Sequence, residues 1–307
     1  MPALNISKSI TIDRPTLEVF EIVRNFTSWP YWSPWIIIEP DCKLSYSEDG
    51  KSYSWDGNII GSGTMDLDQA VTGKSLEMDL QFFKPWKSQA KVIFLFDTIG
   101  NETKVTWSMN GSLPFFMFWM KSMMACLVGM DYERGLLMLK DFAERGSVPC
   151  KLDFEADQKF KGFDYVGIRT KCAIAEIGPR MKVDLLAAAD CLNRCGISPS
   201  GNPFSIYNKW DPIRGIVDYT TGIPVDASSD TQRTNMMRSH LASCKAYRVR
   251  HTGPYRHLGN AWSAGMMHGR AKVFSQNRRA LPFEIYENDP QDTPEDALVT
   301  SVYLPSK

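Results

Sequence analysis

The sequence predicts an α+β protein in which two domains follow each other along the chain. Three observations support this prediction. The chain has 307 residues, whereas one domain usually spans about 100–200 residues. Residues 1–147 contain short alternating segments and then one long amphipathic segment. Residues 158–307 contain nearly the same segment twice, as PFSIYNKWDP at 203–212 and as PFEIYENDP at 282–290.

The first domain has the element order of a sheet held by a long helix. Residues 5–13 alternate between apolar and polar side chains, which predicts a strand. Pro15 favours the first turn of a helix that ends near Asn25. Strand-like segments with turn residues between them then follow up to residue 112. A helix over about residues 115–144 closes the domain, and this order predicts a curved antiparallel sheet gripped by that C-terminal helix.

This order resembles the START-related polyketide cyclase and lipid-transfer superfamily, the SRPBCC proteins with the helix-grip fold. The most specific part of the resemblance is the segment GMDYERGLLMLKDFAE at 129–144. The resemblance implies a cavity for a hydrophobic small molecule, and in some members a cyclisation or an addition. The candidate ligand-binding residues of this cavity are Trp55, Trp86, Trp107, Met120 and Met124. Since this domain contains no histidine, we expect it to bind a molecule and not to catalyse a reaction.

The second domain is predicted to be a duplicated βαββ unit. Residues 148–157 include Pro149 and several charges without periodicity, which predicts a linker before a domain at 158–307. A strand-like and then a helix-like segment precede each copy of the repeated segment, and another strand-like segment follows it. Two such units can form one sheet with both helices on one face. The other face would then be a groove, which suits a ligand.

This second pattern resembles the GyrI-like effector-binding domain, which also occurs in AraC-type and MerR-type transcription regulators. The resemblance rests on HTGPYRHLGNAW at 251–262, LPFEIYENDP at 281–290 and LVTSVYLP at 298–305. It implies binding of drug-like and often cationic small molecules. The chain departs from the family at Ser301, where the last strand commonly carries a glutamate. This departure removes one acid from the implied site and weakens the case for a hydrolase.

Strand alternation assigns the candidate residues of this second site to a face. In the second copy, Glu284 and Tyr286 share one face of the strand, whereas Phe283 and Ile285 share the other. If the apolar pair packs under the helices, Glu284 and Tyr286 face the groove. A carboxylate among aromatic rings suits a hydrophobic cation. The candidate ligand-binding residues are Glu284, Tyr286, Trp262, Tyr255, Tyr207, Trp210, Tyr219 and Tyr303.

The resulting prediction is a cytoplasmic protein that senses or sequesters hydrophobic compounds, cations among them, through two cavities. One alternative is a hydrolase or cyclase acting on a hydrophobic or electrophilic small molecule. Another is the sensor subunit of a transcription regulator with a separate DNA-binding partner. The sequence predicts no catalytic residue, metal site or cofactor. It predicts no direct contact with nucleic acid, because the net charge is +0. It predicts no membrane span, because Lys121 interrupts the apolar segment 113–130. It makes no prediction of the oligomeric state.

Overall fold

The chain forms two compact units, Met1–Pro149 and Cys150–Lys307. The structure is a computed structural model that describes residues 3–112 and 115–307, with the side chains of 115–117 excepted. Both units are α+β and each contains one antiparallel sheet. Within these described ranges, no helix combines the length and the apolar character that a membrane crossing requires.

The first unit is a seven-stranded antiparallel sheet with two flanking helices, an arrangement consistent with a helix-grip fold. The sheet order is β1-β7-β6-β5-β4-β3-β2. The predicted order of strands and helices is confirmed, although the last helix begins at Lys121 and not near residue 115. The elements are β1 (Ala3–Ile12), α1 (Thr16–Arg24), β2 (Lys43–Tyr46), β3 (Ser52–Asp56), β4 (Ser62–Val71), β5 (Ser75–Lys84), β6 (Ser88–Ile99), β7 (Glu102–Ser112) and α2 (Lys121–Arg145).

Helix α2 approaches the core closely where its sequence has a glycine. A Cβ atom on Gly135 would lie 2.8 Å from the Trp107 ring and 3.0 Å from Pro34. The Trp107 ring stacks on Tyr132 of the same helix, with 4.0 Å between the ring centroids. Packing therefore explains the glycine of the Gly-Leu pair in the 129–144 segment. A larger residue at this position would push the helix away from Trp107.

The second unit is an eight-stranded sheet with a symmetric order of strands. The elements are β8 (Lys151–Phe160), β9 (Phe163–Ala173), α3 (Ile177–Cys195), β10 (Phe204–Asp211), β11 (Ile216–Pro224), β12 (Met237–Leu241), β13 (Cys244–Thr252), α4 (Leu258–Arg270), β14 (Phe283–Tyr286) and β15 (Val299–Ser306). The order is β12-β9-β11-β10-β14-β15-β13-β8. The two repeated segments form β10 and β14, which pair antiparallel at the centre with Ser205 opposite Glu284. Each copy is thus a strand, a helix and two strands.

The prediction of a linker at 148–157 was wrong. Strand β8 covers most of it and pairs with β13, which belongs to the second copy. Leu152 and Phe154 pack against the core beneath α4, and Glu155 accepts a hydrogen bond from Arg248 Nη2 at 2.7 Å. Asp157, whose φ is 52°, interrupts the alternation of the strand. The irregular pairing in this region explains why periodicity did not reveal the strand.

Strands β8 and β12 are exchanged between the two copies. Strand β8 precedes the first copy but pairs with β13 of the second, and β12 precedes the second copy but pairs with β9 of the first. Each copy therefore completes the sheet of the other. This exchange ties the duplicated halves into one unit.

Candidate ligand-binding site

Glu284 lies at the centre of the second unit, on the strand pair that joins the two copies. Its side chain is buried, with the residue only 1% exposed. The carboxylate accepts hydrogen bonds from Tyr286 OH at 2.6 Å, from Trp262 Nε1 at 2.6 Å and from Tyr207 OH at 3.1 Å. Three aromatic side chains from β14, α4 and β10 thus converge on one carboxylate.

Glu284 and Tyr286 face the helices, contrary to the orientation expected from the sequence. Tyr286 OH lies 2.7 Å from Met181 Sδ of α3, and Trp262 of α4 donates a hydrogen bond to Glu284. The expectation that Phe283 packs under the helices was therefore wrong. Its ring instead contacts Phe160, with centroids 4.7 Å apart, because the curled sheet covers its second face with its own side chains.

Tyr303 does not join the cluster around Glu284 and instead lines a separate cavity of about 390 Å³ with Phe163 and Ile285. Its ring stacks on Phe283 with centroids 4.9 Å apart and 9° between the planes. Tyr303 therefore lies on the face opposite Glu284. Ser301 shares that face and donates a hydrogen bond to Glu287. The physical reason is strand alternation, since residues 301 and 303 point away from residues 300, 302 and 304.

Burial dominates the electrostatics of the site. It raises the pKa of Glu284, whereas the hydrogen bonds from Tyr286, Trp262 and Tyr207 lower that pKa in part. Burial likewise raises the pKa values of Tyr207 and Tyr286, and the Glu284 charge adds to both rises. Among the described residues, no lysine, arginine or histidine forms an ion pair with Glu284. The carboxylate is thus buried, with no counter-ion among the described residues.

Further aromatic rings connect Glu284 with the surface. Tyr207 contacts Trp262 edge to face at 4.6 Å between centroids, and Trp210 contacts Tyr207 at 6.0 Å. Tyr255 contacts the Tyr286 ring at 5.8 Å. Both Trp210 and Tyr255 are 40% exposed. These two rings are therefore the part of the aromatic cluster that solvent reaches.

Tyr219 belongs to a neighbouring cluster and does not bond Glu284. It is buried and donates to Asp184 Oδ2 at 2.7 Å, and Thr170 Oγ1 donates to the same carboxylate oxygen at 2.8 Å. The structure therefore brings six predicted residues together around the carboxylate cluster. These are Glu284, Tyr286, Trp262, Tyr255, Tyr207 and Trp210.

The sequence analysis missed Met181 and also missed Thr300 and His251, a polar pair beside Tyr286. The buried residues of α3 lie along one face of the helix, and this spacing could have placed Met181 against the sheet; they are Met181, Ala188, Cys191 and Leu192. Thr300 pairs with both Tyr286 and His251 across the sheet. Both ring nitrogens of His251 and the Thr300 hydroxyl are buried and have no hydrogen-bond partner in the part of the chain that the structure describes. Burial lowers the pKa of His251 to about 4, and His257 contributes to the lowering.

In the first unit, the predicted cavity residues occupy different environments. Trp55 and Trp107 are buried in the hydrophobic core, where Trp107 is enclosed by stacked rings, so Trp107 is a core side chain and not a cavity wall. Met124 packs against that core and Met120 is half-buried. Trp86 is exposed. The structure does not bring these five residues together in one cluster.

Metal ligands of the usual kinds are not clustered in the part of the chain that the structure describes. No group of three or more histidine, cysteine, aspartate or glutamate residues there could hold an ion. Seven cysteines are free thiols.

The chain was also compared with known proteins. No protein-family model and no curated protein matches it. A START superfamily protein from Mycobacterium smegmatis is 17% identical, with 47% of this chain and 99% of that chain covered and a TM-score of 0.35. The Aha1 dimer from Colwellia psychrerythraea is 18% identical, with 47% and 98% covered and a TM-score of 0.35. CalU16 from Micromonospora echinospora is 19% identical, with 47% and 78% covered and a TM-score of 0.33.

Proposed function

We propose that the second unit binds a hydrophobic cation at Glu284, and that the protein senses or sequesters such compounds. The observation that carries the proposal is the buried carboxylate itself. It is held by three aromatic donors and, within the described residues, has no cationic partner. A ligand that brings its own positive charge would supply the missing counter-ion.

The energetics favour a cationic ligand over a neutral one. A carboxylate removed from water loses solvation that hydrogen bonds restore only in part. A cation beside the carboxylate gains a charge interaction in a site of low polarity. Each aromatic ring that faces the cation adds about 0.5–2 kcal/mol. Tyr207, Tyr286 and Trp262 surround the carboxylate and can provide these faces once the ligand is seated.

Binding requires a local rearrangement, because Tyr207, Trp262 and Tyr286 cover Glu284. The ligand must take the place of at least one donor around the carboxylate. Trp262 is the natural candidate, since it lies on α4 and is only partly buried. Its indole fluorescence should therefore report binding.

The duplicated architecture supports a GyrI-like effector-binding role for this unit. Each copy is a βαββ unit, and both helices lie on the face that carries Glu284. Ser301 lies on the opposite face, so the departure from the family's usual acid takes no charge from the Glu284 site. For the first unit, we propose binding of a neutral hydrophobic molecule near Met120 and Met124, which lie at the start of α2 and can adapt their shape.

The test is a binding titration of the full chain with an isosteric pair of ligands. One ligand is an alkyl-aryl trimethylammonium cation and the other is its uncharged tert-butyl counterpart. We expect the cation to bind at least about tenfold more tightly, a difference of about 1.4 kcal/mol. Glu284→Gln should remove the preference, because it removes the charge while nearly keeping the shape.

Tyr219→Phe provides the matched control. It removes a buried hydroxyl on the same face, but that hydroxyl bonds Asp184 and not Glu284. The control should therefore keep the preference for the cation. Equal binding of both ligands to the unaltered chain, or a preference that survives in Glu284→Gln, would contradict the proposal.

A further inference from the structure

We propose that the second unit holds a Cu(I) ion between Cys191 and Cys195 of α3, with a thioether from Met236 or Met237 as the third ligand. These four sulfur-containing residues line one cavity of about 660 Å³ between α3, β9 and the segment leading into β12. The proposal is independent of the Glu284 site, since the described residues that line this cavity include neither Glu284 nor its three hydrogen-bond donors.

Both thiols face the same wall of the cavity. They are four residues apart on α3 and thus lie on one side of the helix. Cys191 Sγ donates to Thr234 O at 3.0 Å, and Cys195 Sγ donates to Arg233 O at 3.6 Å. The two thiols thus contact the carbonyl oxygens of consecutive residues, which places them beside each other on one segment.

Helix geometry favours a bridging ion over a disulfide. Side chains four residues apart on a helix have Cβ atoms about 5–6 Å apart. A disulfide needs a Cβ–Cβ distance of about 3.5–4.5 Å, so closing one would distort α3. An ion with two sulfur bonds of about 2.3 Å each spans a wider gap and leaves the helix intact.

The ligand set selects a soft ion. Thiolates and thioethers favour Cu(I), whereas zinc sites use cysteine, histidine and carboxylates. Met236 packs against the hydrophobic cluster under α3, and Met237 is 40% exposed at the start of β12. Thioethers next to two thiols are thus the chemical feature that separates this site from a zinc site.

The charges around the cavity fit the same ion. Binding replaces both thiol protons and leaves the copper in its +1 state, so the dithiolate complex carries a net charge of −1. Arg194 and Arg233 line the same cavity. Their guanidinium groups can balance the net negative charge of the Cu(I) dithiolate. A divalent ion between the same two thiolates would leave no net charge to balance.

The test is an anaerobic titration of the reduced full chain with Cu(I), in competition with the chromophoric chelator bathocuproine disulfonate. We expect one tightly held Cu(I) per chain. Cys195→Ser should weaken binding by more than about 100-fold, because loss of even an outer partner of a metal site costs about 10- to 100-fold. Either Met236→Leu or Met237→Leu should cause a smaller loss. Cys172→Ser is the matched control, since Cys172 is a half-buried thiol outside this cavity.

Any of three results would overturn the proposal. The first is Cu(I) uptake that is unchanged in Cys195→Ser, which would place the ion elsewhere. The second is a wild-type chain that takes up no Cu(I) under reducing conditions. Circular dichroism of each variant shows whether it is folded, and Met237→Leu keeps the test valid if a cysteine variant does not fold. If Zn(II) binds as tightly as Cu(I) and neither methionine variant weakens Cu(I), the thioether ligand is excluded and the proposal fails.

Discussion

The Glu284 carboxylate is almost completely buried. Its protonation therefore affects the stability of the fold. Burial raises its pKa above the ordinary value of 4.5. The folded protein therefore keeps this proton at pH values where the unfolded chain has lost it. The contribution of Glu284 to stability is complete below the ordinary pKa and declines as the pH rises through the folded-state pKa.

Glu284→Gln should remove this decline, because a glutamine has no proton to lose. The free energy of unfolding, measured by urea titration between about pH 4 and about pH 8, should fall less with rising pH in the variant than in the unaltered chain. Glu295→Gln is the control, since the Glu295 side chain is 74% exposed. Parallel profiles for the unaltered chain and Glu284→Gln would show that the buried carboxylate keeps an ordinary pKa.

His251 should give the opposite dependence on pH. Its folded-state pKa is about 4, against an ordinary value of 6.5, because the buried ring loses solvation when it becomes charged. The contribution of His251 to the stability is complete above pH 6.5 and declines as the pH falls toward about 4. The decline reaches about 3 kcal/mol. His251→Leu should be less sensitive to acid. His240→Gln, in which an exposed histidine is changed, should leave the acid dependence linked to His251 in place.

At the scale of elements, the approach of α4 to the sheet depends on Gly265. A Cβ atom there would lie 2.4 Å from Leu304 Cδ1, and Leu304 is fully buried on β15. Gly265→Ala should therefore destabilise the protein by about 1–3 kcal/mol through overpacking, although alanine favours helix. Thermal unfolding of the variant measures this loss.

Gly178→Ala is the control, because it changes a helix glycine that does not lie against another element. Gly178 is also a helix residue, in the first turn of α3, but a Cβ atom there would meet no atom of another element within 4 Å. This substitution should change the stability by less than about 1 kcal/mol, because the helix preference of alanine is opposed by the ring of Pro179, which follows it. If Gly178→Ala lowers the melting temperature as much as Gly265→Ala does, the close contact between α4 and Leu304 is not the reason for Gly265.

At the scale of the whole chain, the exchanged strands determine where the second unit can be cut. A fragment of residues 150–307 keeps β8, whereas a fragment of 158–307 loses most of it and leaves the edge of β13 uncovered. We expect the longer fragment to unfold cooperatively as a stable species. The shorter one should lose about 2 kcal/mol or more from Leu152 and Phe154 and should associate through its open edge.

Urea unfolding and sedimentation of both fragments test this expectation. The matched comparison is between two fragments that differ only at their first eight residues. A 158–307 fragment that is as stable and as monodisperse as the longer one would show that β8 is dispensable. It would also support the domain boundary at residue 158 that the sequence predicts.

The sequence by itself determined the α+β class, the order of most strands and helices, and the duplication, because these depend on local periodicity and on self-similarity. It also placed Glu284 and Tyr286 on one face of a strand, since alternation is a property of the strand alone. Tertiary structure decided which face the helices cover, because both faces of β14 carry large side chains and the curled sheet can bury either. Tertiary structure also decided that β8 and β12 are exchanged between the copies, and that Cys191, Cys195, Met236 and Met237 line one cavity. Pairing between distant segments leaves no periodic signal in either segment, so the sequence alone does not reveal it.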